Sequence, residues 1–442
     1  MNNQAKRCVE TLAESIEEKE DGGWRYPSDS STAYDYLMPI LIENLDINPE
    51  GMLISKNRVR GDINDLLLDV QDEANPVSEF ESRIGDISNR ISDIDVSEYI
   101  ITFPINFDSN SSELLPERLS FKDIDVERIS FNSWTQDWVP NYEDPDGDRE
   151  LMKLSTFLEK SPNDITNPRY TYWRASCYAR DKSFAINHLG TALSTILGQL
   201  NFAMKYNRTQ GKGIHSGPWP NRWSELRSPF IFLVYNEDEY ENHFFPNGDA
   251  SYRKPESPHS IHEDRFKQIL DDLPSFESEQ PLDSRLIESF NMFQLGITNP
   301  HYEQGFFEFW RGIEILASID DNLESTNTDD AIAGIVERVA NIHNWKDPNI
   351  AEIRLDRVSD KRNEYVHEAE YDSINRNDYN LTKSLLEGII KFACDQRTEW
   401  SVRDWMYVLN NFETESETLE RNQELYARKI DLLEEMKEFG DT

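Results

Sequence analysis

The sequence of 442 residues has little cysteine, little basic charge and no long apolar run. Its three cysteines, Cys8, Cys177 and Cys394, are far apart and odd in number, which excludes a disulfide framework and a CxxC metal knuckle. No stretch of about 18 or more apolar residues occurs, so the sequence predicts no transmembrane helix. The first 20 residues form a charged helical pattern without the apolar centre of a signal peptide. We therefore expect a cytoplasmic protein without a membrane partner.

The shortage of basic charge is the strongest compositional feature. Acidic side chains number 84 and basic ones 45, which gives a net charge of -39. The acidic residues recur along the whole chain, which favours an adapted surface over an acidic tail. With 17 Lys against 28 Arg, the less frequent cation is the flexible, strongly hydrated lysine, which is opposite to the bias of nucleic-acid-binding proteins. The composition resembles that of proteins from salt-accumulating, haloarchaeal-type cytoplasms, and we predict a halophilic protein.

The aromatic content shows that this acidic chain can still build folded cores. It contains 10 Trp, 18 Tyr and 22 Phe, too many for a disordered chain. At about 100–200 residues per domain, its length predicts two or three domains. We divide it into a weakly specified helical region (1–96), an α+β region (97–278), an all-helical domain (279–410) and a charged C-terminal helix (411–442). The predicted fold class is an α+β N-terminal region followed by an all-α helical bundle.

The middle region carries the strand patterns. Tyr99–Phe107 is β-branched and aromatic and is followed by a polar turn at 108–112, which predicts a strand. Four more predicted strands are Leu119–Phe121, Val126–Phe131, Tyr170–Tyr178 and Phe230–Tyr235. A long apolar helix, Phe184–Tyr206, lies among them and makes the region α+β.

Helical patterns occupy both ends of the chain. N-terminal helices are predicted at 4–20 and Tyr34–Leu45, with only short helical pieces at Ile63–Val70 and Glu79–Ile94. After His262 six helices follow in succession: Phe266–Leu273, Leu282–Ile297, Tyr302–Ile319, Asp330–His343, Ile350–His367 and Tyr379–Gln396. The last pattern, Thr418–Phe439, places Leu419, Tyr426, Ile430 and Leu433 on one face. Such a face suits an appended or dimer-contacting helix.

The candidate site is the group Arg362-Asn363-Glu364-Tyr365-Val366-His367 near the end of a predicted helix. The buried side of this helix is expected to consist of Ile353, Leu355, Val358, Tyr365 and Val366. At about 100° per residue, Asn363 and His367 lie within about 40° of each other, while Arg362 and His367 differ by about 140°. For Arg362 and His367 to reach one atom, the helix must break before His367 or a second copy of the chain must supply one of them.

These residues resemble a known signature. An Arg, a polar residue and a His after four to six positions, late in a helical bundle, is similar to the motif of HEPN domains. The helix Phe306–Leu316, with Glu314 near its end, resembles a helix of the Apea-like branch of that family and precedes the motif by two helices. The resemblance covers about residues 280–410.

The resemblance implies a helical domain that pairs with a second copy, so that both Arg-His motifs line one cleft. It also implies a metal-independent endoribonuclease that acts in defence or stress response. RNA would be its substrate, it would need no cofactor, and its partner would be an antitoxin or another defence protein. The residue chemistry agrees. His367 can accept and donate protons near neutral pH, and Arg362 offers a permanently charged fork for phosphate oxygens. Asn363 is expected to orient the imidazole or the 2′-hydroxyl, and Glu364 to point to solvent.

Other interpretations remain open at this point. Arg362 and His367 can simply cap helix carbonyls. Glu314 is expected to pair with an arginine, Arg311 or Arg362, in a supporting role. Glu368 and Glu370 place carboxylates beside the phosphate site and would weaken polyanion binding and raise the pKa of the histidine. A non-catalytic HEPN module that binds RNA, a nucleotide or a protein partner is the alternative function.

Two further groups have suggestive residue types without the required pattern. His259, His262, Glu263 and Asp264 are ligand types, but their position at a loop-to-helix junction suits capping and solvation, so we predict no metal site. Gly211-Lys212-Gly213 lacks the spacing and the preceding strand of a phosphate-binding loop, so we predict no nucleotide cofactor.

Overall fold

The computed structural model describes most of the chain. The described residues are 1–18, 24–25, 31–45, 47–121, 124–143, 147–161, 163–207, 226–236, 239–246, 263–274, 278, 281–299, 301–317, 334–336, 338–340, 348–368, 374–398, 400–401, 403–405, 409, 423 and 427–430. The chain forms two compact units. The N-terminal unit comprises Met1–Leu193 and Ser228–Pro255, and the C-terminal unit comprises Ser194–Arg227 and Glu256–Thr442.

Four helices open the N-terminal unit: α1 (Asn3–Glu14), α2 (Ser31–Glu43), α3 (Lys56–Val70) and α4 (Pro76–Ser92). Polar side chains start three of them. Asn2 accepts from the Ala5 amide, Ser55 from the Arg58 amide, and Asn75 from the Ser78 amide with Pro76 at the first helical position. Their apolar faces share one core, which includes Leu12, Leu41, Ile63, Leu67, Phe80 and Ile87.

The structure corrects two helix boundaries in this region. The first helix ends at Glu14 instead of continuing to residue 20, and Glu17–Glu18 (β1) pairs with Trp24–Arg25 (β2). The predicted piece Glu79–Ile94 nearly coincides with α4, whereas α3 begins at Lys56, seven residues before the predicted start at Ile63. The polar first half of α3 hid the start of its buried apolar stripe, which includes Val59, Ile63 and Leu67.

A six-stranded antiparallel sheet forms the centre of the N-terminal unit. Its strands are β3 (Ser97–Ile105), β4 (Arg118–Phe121), β5 (Ile124–Ile129), β6 (Thr171–Ala179), β7 (Phe232–Asn236) and β8 (Glu239–Phe244), in the spatial order β4-β5-β6-β3-β7-β8. β3 pairs with β6 along its whole length, from Ser97 opposite Ala179 to Ile105 opposite Thr171. Its last seven residues are buried, which explains its continuous apolar pattern.

Short helical elements cover part of one sheet face. They are a 3₁₀ turn (Ser109–Leu114), α5 (Phe131–Ser133), a π-helical turn (Trp134–Trp138) and α6 (Arg149–Lys160). Trp134 is buried, stacks on Tyr172 with ring centroids 4.8 Å apart, and donates through Nε1 to the Ile165 carbonyl at 2.8 Å. The core on this face therefore depends on aromatic side chains whose polar atoms are satisfied.

The junction between β6 and helix α7 (Lys182–Asn207) ties the sheet to the helices α3 and α4. Arg180 Nε donates to the Met52 carbonyl at 3.0 Å, and its Nη1 donates to the carbonyls of Ser92 and Ile94. Asp181 accepts from the Ser55 amide at 2.7 Å and from the Phe184 amide at 2.9 Å. Arg180 and Asp181 are therefore structural residues at a strand-to-helix junction.

The C-terminal unit is helical. It contains α8 (Glu263–Asp272), α9 (Pro281–Thr298), α10 (Tyr302–Ala317), α11 (Pro348–Glu368) and α12 (Arg376–Gln396), together with helical residues at 334–336 and 338–340. One core unites them and includes Phe290, Phe293, Phe309, Trp310, Leu355, Val358, Leu386 and Trp405. Phe306 and Trp310 of α10 are buried in this core.

The coarse fold prediction is confirmed: an antiparallel sheet with helices in the N-terminal unit and helices in the C-terminal unit. Of the predicted C-terminal helix, residues 423 and 427–430 are described and helical, and Ile430 is exposed. Leu419, Tyr426 and Leu433 lie outside the described residues. Within the described part of the chain, each helix is too short or too polar to cross a lipid bilayer.

Candidate functional site

Helix α11 carries the predicted motif, and its buried face holds it in the core of the C-terminal unit. Leu355 and Val358 are completely buried. Ile353 was predicted on the same side, but it is 68% exposed. The prediction was wrong because Ile353 and Leu355 are two positions, or about 200°, apart on the helix, so both cannot face one core.

Two contacts outside the apolar core fix the position of α11. The Arg357 Nε atom lies 2.7 Å from Oδ1 of Asp378, a buried residue that also completes the capping box of α12 with Asn375. The Tyr365 ring lies against the Phe307 ring of α10, with centroids 4.4 Å apart. α11 is thus attached to α12 near its middle and to α10 near the motif.

The helix continues without interruption from Pro348 to Glu368, so it passes through the whole motif. Of the two ways in which Arg362 and His367 could meet, a break before His367 is excluded. On a continuous helix the two residues are separated by about 140° and one and a half turns. The side chain of His367 lies outside the described residues, as do the side chain of Glu368 and all of Glu370.

Arg362 differs from Arg357 and Lys361, the two nearest cations of the same helix. Arg357 is paired with Asp378, and Lys361 is paired with Glu364. Arg362 is half-buried and donates through Nη1 to Oδ1 of Asn363 at 3.2 Å. Among the residues that the structure describes, no carboxylate lies within 4.0 Å of the Arg362 guanidinium. In the described part of the chain, the partner of the Arg362 guanidinium is therefore a neutral amide oxygen.

The capping interpretation receives no support from Arg362. Helix capping by a basic side chain satisfies carbonyls of the last turn. The hydrogen bond of Arg362 goes to a side chain instead, and Arg362 lies more than one turn before the helix end at Glu368. For His367, capping stays a prediction.

Glu314 is held by a tryptophan. Trp310 Nε1 donates to its Oε1 at 2.6 Å, one turn earlier on α10. Arg311, one of the two predicted partners of Glu314, forms its ion pair with Glu308 at 3.3 Å. The predicted pairing of Glu314 with Arg311 or Arg362 was therefore wrong, and a supporting role for Glu314 in the site stays a prediction.

The sequence reasoning missed the local partners of Asn363 and Glu364. Asn363 was expected to orient the imidazole or the 2′-hydroxyl, yet its oxygen is bound by Arg362. Glu364 was expected to point to solvent, yet it binds Lys361 and its side chain is 35% exposed. The spacing of three between Lys361 and Glu364 is the signal that would have identified this ion pair.

The described residues contain no group of three or more His, Cys, Asp or Glu side chains arranged to hold a metal ion. His259 and His262 lie outside the described residues, as does the segment Gly211-Lys212-Gly213. Comparisons with protein-family models, with curated proteins and with solved structures found no match to this chain.

Proposed function

We propose that the chain is a HEPN-type, metal-independent endoribonuclease that works as a homodimer in defence or stress response in a salt-rich cytoplasm. The observation that carries this proposal is the state of Arg362. It is half-buried on a helix that packs in the core of the C-terminal unit, it has no carboxylate partner among the described residues, and it lies in the same helix as His367. A cation kept apart from acidic side chains in such an acidic protein fits a phosphate-binding role.

The chemistry requires a base, an acid and a fixed positive charge. His367 would accept the proton of the RNA 2′-hydroxyl and return a proton to the leaving 5′-oxygen. Arg362 would stabilise the charge that develops on the phosphate. The reaction transfers the phosphate from one ribose oxygen to another on the same strand, so it consumes no cofactor.

The continuity of α11 supports the dimeric part of the proposal. Because Arg362 and His367 cannot converge from one straight helix, a site that uses both must combine Arg362 of one protomer with the partner's His367. A two-fold dimer would create two such sites. A partner protein such as an antitoxin would then act on this cleft or on the dimer.

The first test is an RNA cleavage assay in molar KCl with EDTA. Wild type should cleave RNA, and Arg362→Ala and His367→Ala should each lower the rate by about a hundredfold or more, in line with the loss of an acid-base or charge-stabilising group. Light scattering should show a dimer. RNA binding without cleavage, equal in wild type and both variants, would instead support a non-catalytic module that binds RNA elsewhere on the protein.

A further inference from the structure

The hydrogen bond between Arg362 and Asn363 determines which way the Asn363 carboxamide is turned. An arginine side chain has five N–H donors and no acceptor, so only the carboxamide oxygen can face it. The Nη1–Oδ1 distance of 3.2 Å therefore assigns the oxygen to Arg362 and directs the NH₂ group away from it. The oxygen and the nitrogen of a carboxamide are similar in size, so the orientation is assigned from the hydrogen-bond donor of Arg362 and not from the shape of the group.

The two side chains together offer mainly N–H donors on this side of the helix. Asn363 Nδ2 keeps two N–H groups, and no residue in the described part of the chain accepts from them. The guanidinium uses one of its donors for Asn363 and keeps the others. Both residues are half-buried, so an anion bound there would be partly removed from water, where charge-assisted hydrogen bonds are stronger.

The neighbouring charges do not cancel this donor set. Lys361 and Glu364 neutralise each other in an ion pair on the same turn. The formal charge of the four residues 361–364 is thus one positive charge, located on Arg362. A phosphodiester has a negative charge and several acceptor oxygens. It therefore matches the charged guanidinium of Arg362 beside the neutral NH₂ group of Asn363.

We propose that Arg362 and Asn363 form one phosphate-binding unit, in which Asn363 contacts the phosphate through Nδ2 and does not orient the imidazole or the 2′-hydroxyl. The inference rests on the proposed function for its physiological ligand, the RNA backbone. It assigns Asn363 a binding role that depends on its NH₂ group and not on its oxygen.

Replacement of Asn363 by Asp and by Ala together separates loss of the NH₂ group from the effect of an added charge. Aspartate keeps the oxygen that accepts from Arg362, so the guanidinium stays in place, but it has no N–H donors and adds a negative charge. Alanine removes both functions without adding charge. These variants are placed in a His367→Ala background, which prevents cleavage, and the binding of a fluorescently labelled 12-nucleotide single-stranded RNA is measured by anisotropy in moderate salt.

We expect Asn363→Asp to weaken RNA binding by more than tenfold and Asn363→Ala by about three- to tenfold, because hydrogen bonds to a charged partner are stronger than neutral ones. Circular dichroism and thermal unfolding of each variant verify that it is folded. If Asn363→Asp binds RNA as tightly as its parent, Nδ2 does not contact the phosphate and the proposal is wrong.

A second probe separates this proposal from the ribonuclease proposal. Inorganic pyrophosphate is titrated into ¹⁵N-labelled wild-type protein, and the side-chain NH₂ signals of Asn363 are followed by NMR. A saturable shift that is absent in Arg362→Ala supports the phosphate-binding unit even if the protein cleaves no RNA. RNA cleavage by wild type together with no pyrophosphate shift and unchanged binding by Asn363→Asp would refute the unit and leave the ribonuclease proposal intact.

Discussion

Helix α7 contains one glycine from each unit, and the two glycines have opposite surroundings. At Gly190, in the N-terminal unit, an added Cβ would meet nothing within 4 Å. At Gly198, in the C-terminal unit, the Cβ would lie 2.2 Å from the Phe290 carbonyl oxygen of α9. A Cβ added at Gly61 or Gly85 of the N-terminal unit would also meet nothing within 4 Å, whereas one added at Gly305 of the C-terminal unit would lie 2.8 Å from the Gly296 carbonyl oxygen. Gly334 of the C-terminal unit is open, so within the described residues the close approach of backbones is confined to α7, α9 and α10.

The difference shows that different contacts set the positions of the helices in the two units. In the C-terminal unit, α7 and α10 each approach the backbone of α9 at a glycine, Gly198 and Gly305, so the absence of a side chain there permits their close spacing. The helices of the N-terminal unit are joined to the sheet by side chain to backbone hydrogen bonds, such as those of Arg180.

The largest effect is expected from Gly198→Ala. Its methyl group would collide with a carbonyl and force α7 and α9 apart, which should lower the free energy of unfolding by about 3 kcal/mol. Gly190→Ala is the matched control on the same helix and should raise it by about 0.5–1 kcal/mol, since alanine favours helix. Urea denaturation followed by tryptophan fluorescence measures both. Equal effects of the two substitutions would contradict the comparison.

A smaller loss is expected from Arg180→Ala in the N-terminal unit. The substitution leaves the carbonyls of Met52, Ser92 and Ile94 without their donor, which should cost about 2 kcal/mol. Arg118→Ala serves as the control, since Arg118 is exposed and reaches Glu127 only at 4.0 Å. Hydrogen exchange should show increased exchange in α3 and α4 for Arg180→Ala alone. If the amide protons of α3 and α4 stay equally protected from exchange in both variants, Arg180 does not hold these helices in place.

The smallest effect is a pH dependence confined to the N-terminal unit. Burial lowers the pKa of His243 below its ordinary value of 6.5, while Glu150 opposes and Lys153 reinforces that shift. The unfolded chain therefore binds a proton at a pH where the folded chain does not. The contribution of His243 to the free energy of unfolding is fully present above about pH 6.5. It is lost as the pH falls through the lower pKa that the histidine has in the folded state.

Replacing His243 by Gln tests this dependence. The glutamine keeps a polar group near Tyr240, whose hydroxyl lies 2.8 Å from His243 Nδ1 in the wild type. The glutamine side chain does not titrate. Between about pH 7.5 and pH 5.5, wild type should lose more stability than His243→Gln in matched urea titrations. Identical losses in the two proteins would show that the histidine is not buried as described.

The sequence predicted the elements whose pattern is dictated by burial. β3, β6 and β7 read as strands because their residues are largely buried, and α7, α9 and α10 read as helices because of their apolar content. β8 was missed because Glu239–Phe244 is polar and half-exposed at the sheet edge.

The candidate site was predictable only in part. The angular relation between Arg362 and His367 follows from helix geometry alone, whereas the continuity of α11 through Glu368 required the structure. The orientation of Asn363 and the pairing of Lys361 with Glu364 depend on which of several nearby donors and acceptors meet. Alternative pairings of neighbouring side chains differ in free energy by only a few tenths of a kcal/mol, so the residue types alone do not show which pairing forms.

The central claim is that Arg362 and His367 act from different protomers, and a complementation experiment tests it most directly. Arg362→Ala and His367→Ala are each inactive as homodimers, but a mixed dimer would retain one intact site. Co-expression should place about half of the chains in mixed dimers, so RNA cleavage should recover to about a quarter of the wild-type rate, as two-fold symmetry requires. An inactive mixed dimer alongside an active wild type would contradict the shared site.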